Sequence, residues 1–309
     1  MMVETYQHSG RVGSVGIPLM VVIGGISAIV LAILYTYILA WIPFIYVSFL
    51  ATGGFGAVLG LIAGWSARAG KVRNPLLVSA FGGVAGMLGL YVAWAFDGIA
   101  RFGAEDFPGI LLSPEDLMNY ITFFYNEGFW SIGRGGGAMV SGIPLALIWI
   151  VEAAMIVGAS WMLAGGFTAS HPYCESCNRW TDRVEGFCML HPPEENENAI
   201  QQLCDGDTSI LSQFSKSPPN AVAFLRLDTA RCPDCDECNC INVVLAQITV
   251  DKDGTSSTNT ETLVENMMVS ASDMEQINDT VEGLPMAELP ESEDEEVDDG
   301  EELNGDEQA

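Results

Sequence analysis

A chain of 309 residues in which 49% are hydrophobic, yet whose formal net charge is −28, cannot be one uniform globule. Residues 1–170 carry six basic and eight acidic side chains, whereas 171–309 carry six basic and thirty-two acidic, so an apolar half precedes an acidic one. That balance argues against nucleic-acid binding, which needs clustered Lys and Arg, and against docking of the acidic half on anionic lipid head groups.

Residues 1–16 form a short polar segment, assigned to the cytosol. The uncharged run 17–39 that follows is long enough, at about 20 residues, to cross a hydrocarbon core. It exceeds the apolar region of about 7–15 residues in a cleaved signal peptide and lacks a clear cleavage site, so it reads as a retained anchor. Trp41 and Pro43 mark a turn at the membrane interface, and a second span runs over 43–66. Asn74 and Pro75 provide a helix cap and a first-turn proline for a third span ending near Phe96. A fourth covers 142–164. The first fold-class element is thus a membrane α-helical domain of four transmembrane helices over 17–166.

Arg68, Lys71 and Arg73 lie between spans two and three with no acid among them, whereas the loop 97–140 carries two basic and six acidic residues. The positive-inside rule places the first loop in the cytoplasm and the second outside, with both termini cytoplasmic in the inner (plasma) membrane. Within the outer loop, Ser113-Pro114-Glu115-Asp116 reads as a helix start. Leu117, Ile121, Phe124 and Tyr125 then form an apolar stripe for the bilayer interface or for packing over the bundle. The glycine run 133–137 lacks the preceding strand and the Lys-Ser/Thr pair of a phosphate-binding loop.

Two features of the spans bear on function. Gly56, Gly60 and Gly64, like Gly82 and Gly86, recur every fourth residue, which lets helix backbones approach closely within one chain or in a homo-oligomer. Glu152 is the one acid of the four spans. A carboxyl there faces the bundle interior, as a hydrogen-bonded structural group or as part of an ion path.

All eight cysteines fall between 174 and 240. In a reducing cytosol they read as metal ligands rather than disulfides. Cys174-Glu-Ser-Cys177 and Cys232-Pro-Asp-Cys235 are two CxxC turns, and together they offer the tetrahedral sulfur shell of Zn²⁺. Cys174, Cys177, Cys188 and His191 form a rival Cys₃His set that leaves Cys238 and Cys240 in a separate cluster with Cys232 and Cys235. Sulfur tetrahedra also accept iron. Between the turns, Asn198 and Gln201 suggest a capped helix over 199–214, interrupted by Gly206. A strand is expected over 221–229, and a hairpin over 241–250 and 259–269 around Asp253-Gly254. Ser272 and Glu275 suggest one more helix cap. Knuckle, strand, knuckle and hairpin resemble the zinc-ribbon class over 171–270. The resemblance implies a small β-rich domain with a three-stranded sheet, one zinc ion, and Cys174, Cys177, Cys232 and Cys235 as its ligands. The joining of such a ribbon to a few membrane spans resembles the plan of some uncharacterised bacterial membrane proteins. The stretch 283–309 reads as a disordered acidic tail, since 291–309 holds eleven acids and no base.

Neither a nucleophile triad nor a Cys–His pair is apparent, and a zinc with four protein ligands has no open position for water. The expectation is therefore a non-enzyme: a membrane-anchored, zinc-stabilised cytosolic scaffold with the lipid bilayer and a protein as partners. The alternatives are a transporter or channel subunit using Glu152, and a thiol-based metal or redox sensor.

Overall fold

A computed structural model of the chain describes residues 4–42, 45–102, 107–131, 139–193, 196, 198–253 and 255–287. Four long helices carry the apolar half: α1 (Gly16–Trp41), α2 (Ile45–Ala69), α3 (Pro75–Phe102) and, after the outer loop, α6 (Gly142–Ala169). All four are long and apolar enough to cross a membrane. Their outward faces expose Val21, Val22, Ile26, Leu34, Leu50, Ile143, Leu147, Ile150 and Met162.

Helices α3 and α6 run well past their expected ends because other elements hold those ends. Helix α3 continues beyond Phe96 because the Asp97 carboxylate is paired one turn on with Arg101, at 2.9 Å, and accepts the Tyr120 hydroxyl at 2.7 Å. Helix α6 continues through Gly165 and Gly166 because it is packed there against α3, so closely that a Cβ on Gly165 would collide with the Ser79 hydroxyl and stand 3.2 Å from the Pro75 carbonyl oxygen.

The repeated glycines serve packing within the chain. A Cβ on Gly56 of α2 would stand 2.6 Å from the Ile156 carbonyl oxygen, and one on Gly82 of α3 would stand 2.5 Å from that of Ser160. Both neighbours are on α6, and the Ser160 hydroxyl donates to the Gly56 carbonyl at 2.9 Å. Gly82→Ala should therefore destabilise the bundle by about 1–3 kcal/mol through overpacking, despite alanine's better helix propensity. Thermal unfolding of the detergent-solubilised variant measures this. Glu152 lies on the α6 face that also carries Leu145, Ile156 and Ser160, all fully buried.

At the other end of the bundle, α4 (Phe107–Leu112) and α5 (Pro114–Glu127) pack over α3 and α6. The Ser113 hydroxyl caps α5 by accepting the Asp116 N–H at 3.2 Å. The buried stripe is Leu117, Tyr120 and Phe124, with Tyr120 in place of the expected Tyr125. Trp94, Phe129 and Trp149 complete an aromatic cluster, and the Arg101 guanidinium sits 4.2 Å from the Phe129 ring centroid. The helix is thus a lid on the bundle. Strands β1 (Trp130–Ser131) and β2 (Met139–Val140) close the loop, and the glycine run 133–137 lies outside the described residues.

The acidic half starts with a small hairpin, β3 (Tyr173–Cys174) and β4 (Arg179–Trp180), followed by β5 (Asp182–His191). Next come α7 (Ala199–Cys204), a 3-10 turn (Thr208–Gln213), β6 (Ser215–Lys216), β7 (Ala223–Arg231), β8 (Asn239–Val250), β9 (Ser256–Met268) and α8 (Ala271–Gly283). The sheet is five-stranded and antiparallel, in the order β6-β5-β7-β8-β9, rather than three-stranded as the ribbon resemblance implied. The expected helix 199–214 is split, because Gly206 takes a left-handed φ of 93° and Asp207 starts the 3-10 turn by accepting the Ser209 N–H. Asn198 makes no side-chain cap. The cap of α8 is Ser270, which accepts the Asp273 N–H at 3.1 Å, rather than Ser272.

One sheet face is covered by α7, the 3-10 turn and α8. Leu190, Leu203, Leu211, Phe214, Leu225 and Leu227 are buried at 0–1% exposure in this core. Each contributes about 1.5–3 kcal/mol of burial, so this half has a core of its own apart from the two CxxC turns. Of the stretch 283–309 expected as a disordered tail, the first residues are held on β6, where the Lys216 N–H donates to the Pro285 carbonyl at 2.7 Å and the Ala287 N–H to that of Lys216 at 2.9 Å; residues from 288 on lie outside the described residues.

Candidate metal centre

The first CxxC turn is the loop of the β3–β4 hairpin, in register Tyr173↔Trp180 and Cys174↔Arg179. Asn178 permits the tight turn by adopting φ 53°, a left-handed conformation that Asn tolerates, and it accepts the Tyr173 hydroxyl at 2.5 Å. The second turn links β7 to β8 and is closed by the Cys232 N–H donating to the Cys238 carbonyl at 3.0 Å. Because β5 runs on from β4 and pairs with β7, the sheet register brings the two turns face to face.

The sulfurs of Cys174, Cys177, Cys232 and Cys235 all lie within 4.8 Å of one another, with Cys174 and Cys235 3.5 Å apart. A tetrahedron with metal–sulfur bonds of about 2.3 Å has sulfur–sulfur edges of about 3.8 Å, so the spacing fits a four-thiolate metal shell. Polar clasps join the two turns outside the sulfurs. Arg179 donates to Asp234 at 3.1 Å, and the Ser176 hydroxyl bonds Glu237.

Electrostatics favour a cation here. Burial pushes the Cys174 thiol up to about 11, with Cys232 and Cys235 adding to the rise. Burial also works against the Cys232 thiolate, but the backbone N–H groups of Asp234 and Cys235 together with the Cys174 and Cys235 thiols outweigh it and lower its pKa. One thiolate is thus favoured within the group, and a bound positive charge would favour the others.

The rival ligand set does not assemble. Cys188 is packed in the sheet core with Leu190 and Leu227, and His191 ends β5 in register with Ser215 of β6. Cys204 is partly buried against the same core. All three lie apart from the four-thiol group.

What the first turn touches is not signalled by any local motif. Trp180 Nε1 donates to the Arg68 carbonyl at 2.8 Å and the Lys71 ammonium donates to the Asn178 carbonyl at 2.7 Å, so the hairpin sits on the α2–α3 loop. Arg73, only 8% exposed, donates to Glu175 at 2.6 Å and lies 4.6 Å over the Tyr173 ring. Residues 4–13 form a strap across the same junction. The Tyr6 N–H donates to the Asn266 carbonyl and the Met268 N–H to that of Glu4, extending β9, while the Arg73 N–H donates to the Arg11 carbonyl and the Gly13 N–H to that of Lys71. Tyr6 further bonds both backbone groups of Tyr173, at 3.0 Å each. The three basic residues that signalled orientation therefore also anchor the acidic half to the helices.

Two histidines pin this junction to the end of α6: His8 Nε2 lies 3.2 Å from the Ala169 carbonyl and His171 Nδ1 3.0 Å from that of Phe167. Burial lowers both pKa values from 6.5, outweighing these carbonyl contacts. A depressed histidine pKa makes the stabilisation complete above 6.5 and diminishes it as pH falls through the lower folded value. Acidification below 6.5 should accordingly speed tryptic cleavage at Arg11, and His8→Phe should weaken that pH dependence.

No known protein-family model matches this chain, and neither the curated proteins nor the solved structures include a significant match to it.

Proposed function

We propose that the protein is a membrane-anchored scaffold whose cytosolic half is held on the cytoplasmic ends of four transmembrane helices by one structural zinc ion at Cys174, Cys177, Cys232 and Cys235. The observation that carries this reading is the placement of the first CxxC turn. It contributes two of the four thiols and at the same time bonds the α2–α3 loop and the N-terminal strap. A metal there ties sheet, strap and helices together. Such a centre uses four protein ligands and leaves no position for substrate, so its role is structural and the protein is not an enzyme. The chain's partner is a protein bound by the acidic sheet domain or its tail, in the cytoplasm beneath the inner membrane. The orientation rests on Arg68, Lys71 and Arg73, with the N-terminal strap and the acidic half on that same side.

Mild-detergent purification from native membranes, run in parallel with proteoliposome flux assays, tests this. A co-purifying protein lost in Cys232→Ser/Cys235→Ser but kept in Glu152→Gln supports the scaffold. An ion flux abolished by Glu152→Gln would replace it with the channel reading.

A further inference from the structure

The two edges of the five-stranded sheet are finished differently. Beyond β6 the chain closes its own edge, with Met286 bridging Lys216. The edge of β9 is closed only over its last residues, where Thr5 of the strap pairs antiparallel with Met267. Over 256–262, β9 pairs without a slip to Val244–Val250 of β8, and all seven of its residues are exposed. Among the described residues, no other backbone bond reaches this stretch. A row of amides and carbonyls roughly 20–25 Å long therefore stands open on its second side. Sheets blunt such an edge with proline, lysine or a bulge. Here the seven residues are two serines, three threonines, Asn259 and Glu261, and the left-handed Asn266 that marks the bulge of β9 lies beyond them.

We infer that this open edge is a docking site for an extended segment of a protein partner with lysine or arginine at alternate positions, added to the sheet as a further strand. The inference rests on the scaffold reading above for the existence of a partner, and names where and by what chemistry it binds. Main-chain bonds hold such a segment, as they already hold the strap at 266–268, and side chains select it. Glu261 is the one charge in the open stretch and Glu265 follows it, while α8, which begins three residues after β9 ends, carries Asp273, Glu275, Asp279 and Glu282 with no base. An opposite charge across a strand pair stabilises the pairing and a like charge opposes it. A second copy of the chain is a poor occupant, because each copy brings thirty-two acidic side chains against six basic ones in this half.

The test uses the full-length, zinc-loaded protein in detergent and, as probe, a fluorescent peptide alternating lysine with valine, about ten residues long. Its control is the same peptide with every backbone amide N-methylated, which keeps the charge and cannot donate to a strand. Fluorescence anisotropy reads binding, and hydrogen–deuterium exchange reads its place. The edge predicts slowed exchange over 256–262 and binding of the methylated peptide weaker by about tenfold or more. Glu261→Lys, at an exposed position that leaves the fold intact, should weaken the unmodified peptide by about threefold or more. Equal binding of the two peptides, slowed exchange only elsewhere, or a dimer whose 256–262 amides are protected before peptide is added would overturn the inference. Peptide held on β9 by protein that brings down no partner from native membranes would keep the edge and remove the scaffold reading alone. A partner brought down equally by Glu261→Lys/Glu265→Lys, with exchange over 256–262 unslowed, would overturn the edge and leave the scaffold standing.

Discussion

Replacing Cys232 and Cys235 together with serine is expected to abolish metal binding and release the acidic half from the helix ends without unfolding its core. A structural zinc supplies about 10–16 kcal/mol in small zinc-dependent peptides, which are unfolded without it. Here Leu190, Leu211, Phe214, Leu225 and Leu227 are buried among the sheet, α7 and α8, in a cluster separate from that of Cys174 and Cys232. The lost metal energy should thus fall on the two knuckles and on what they hold: the strap, Glu175 against Arg73, and Trp180 against the Arg68 carbonyl. Tryptic cleavage at Arg11, Arg179 and Arg231 should quicken by about tenfold or more, equivalent to at least about 1.4 kcal/mol of local stability. Far-UV circular dichroism should retain most of the sheet signal. Collapse of all β structure in the variant would show that the sheet depends on the metal throughout.

The second large effect is expected at Asp228. Its carboxylate is fully buried at the β5–β7 boundary, accepting the Gly186 N–H at 2.8 Å and Arg226 Nη2 at 3.0 Å, with Arg183 at 3.4 Å. Gly186, at φ 67°, forms the bulge where β5 slips register between Val184 and Cys188, and the carboxylate holds that bulge in place. Asp228→Ala leaves the Gly186 N–H and two guanidiniums without their shared partner. Removing one member of a buried ion pair costs about 3–5 kcal/mol. Both arginines keep about a quarter of their side chains in solvent, so the lower end, about 3 kcal/mol, is expected. Chemical denaturation followed by tryptophan fluorescence measures it, because Trp180 lies on the adjoining hairpin. Asp228→Asn should cost less, since it can still accept the Gly186 N–H.

Most helices and the strands β7, β8 and β9 were legible because their signals are local. Uninterrupted apolar runs located the four spans, Ser113-Pro114 located α5, and the two CxxC turns marked thiols that the fold brings together. What escaped depends on tertiary partners. Nothing in residues 4–13 announces a strap, because its bonds are backbone bonds to Asn266, Arg73 and Lys71, each far along the chain. The sheet has two strands beyond the ribbon pattern because β5 runs between Cys177 and Cys232, where charged residues and Gly186 obscure its alternation, and β6 is only two residues long. The same insertion accounts for the long spacing between the knuckles. Cys188 could not be separated from the ligands by spacing, because its place in the core is set by pairing with Leu227. The extension of α3 past Phe96 rests on Tyr120, which reaches Asp97 from another helix.

Metal content per chain, with the element identified, on detergent-purified protein and on Cys232→Ser/Cys235→Ser tests whether one zinc at Cys174, Cys177, Cys232 and Cys235 fastens the acidic half to the four apolar helices. One zinc per chain is expected in the parent, none in the variant, and faster cleavage at Arg11 once the metal has gone. Zinc retained by the variant, iron in the parent, or a strap that stays protected without metal would contradict it.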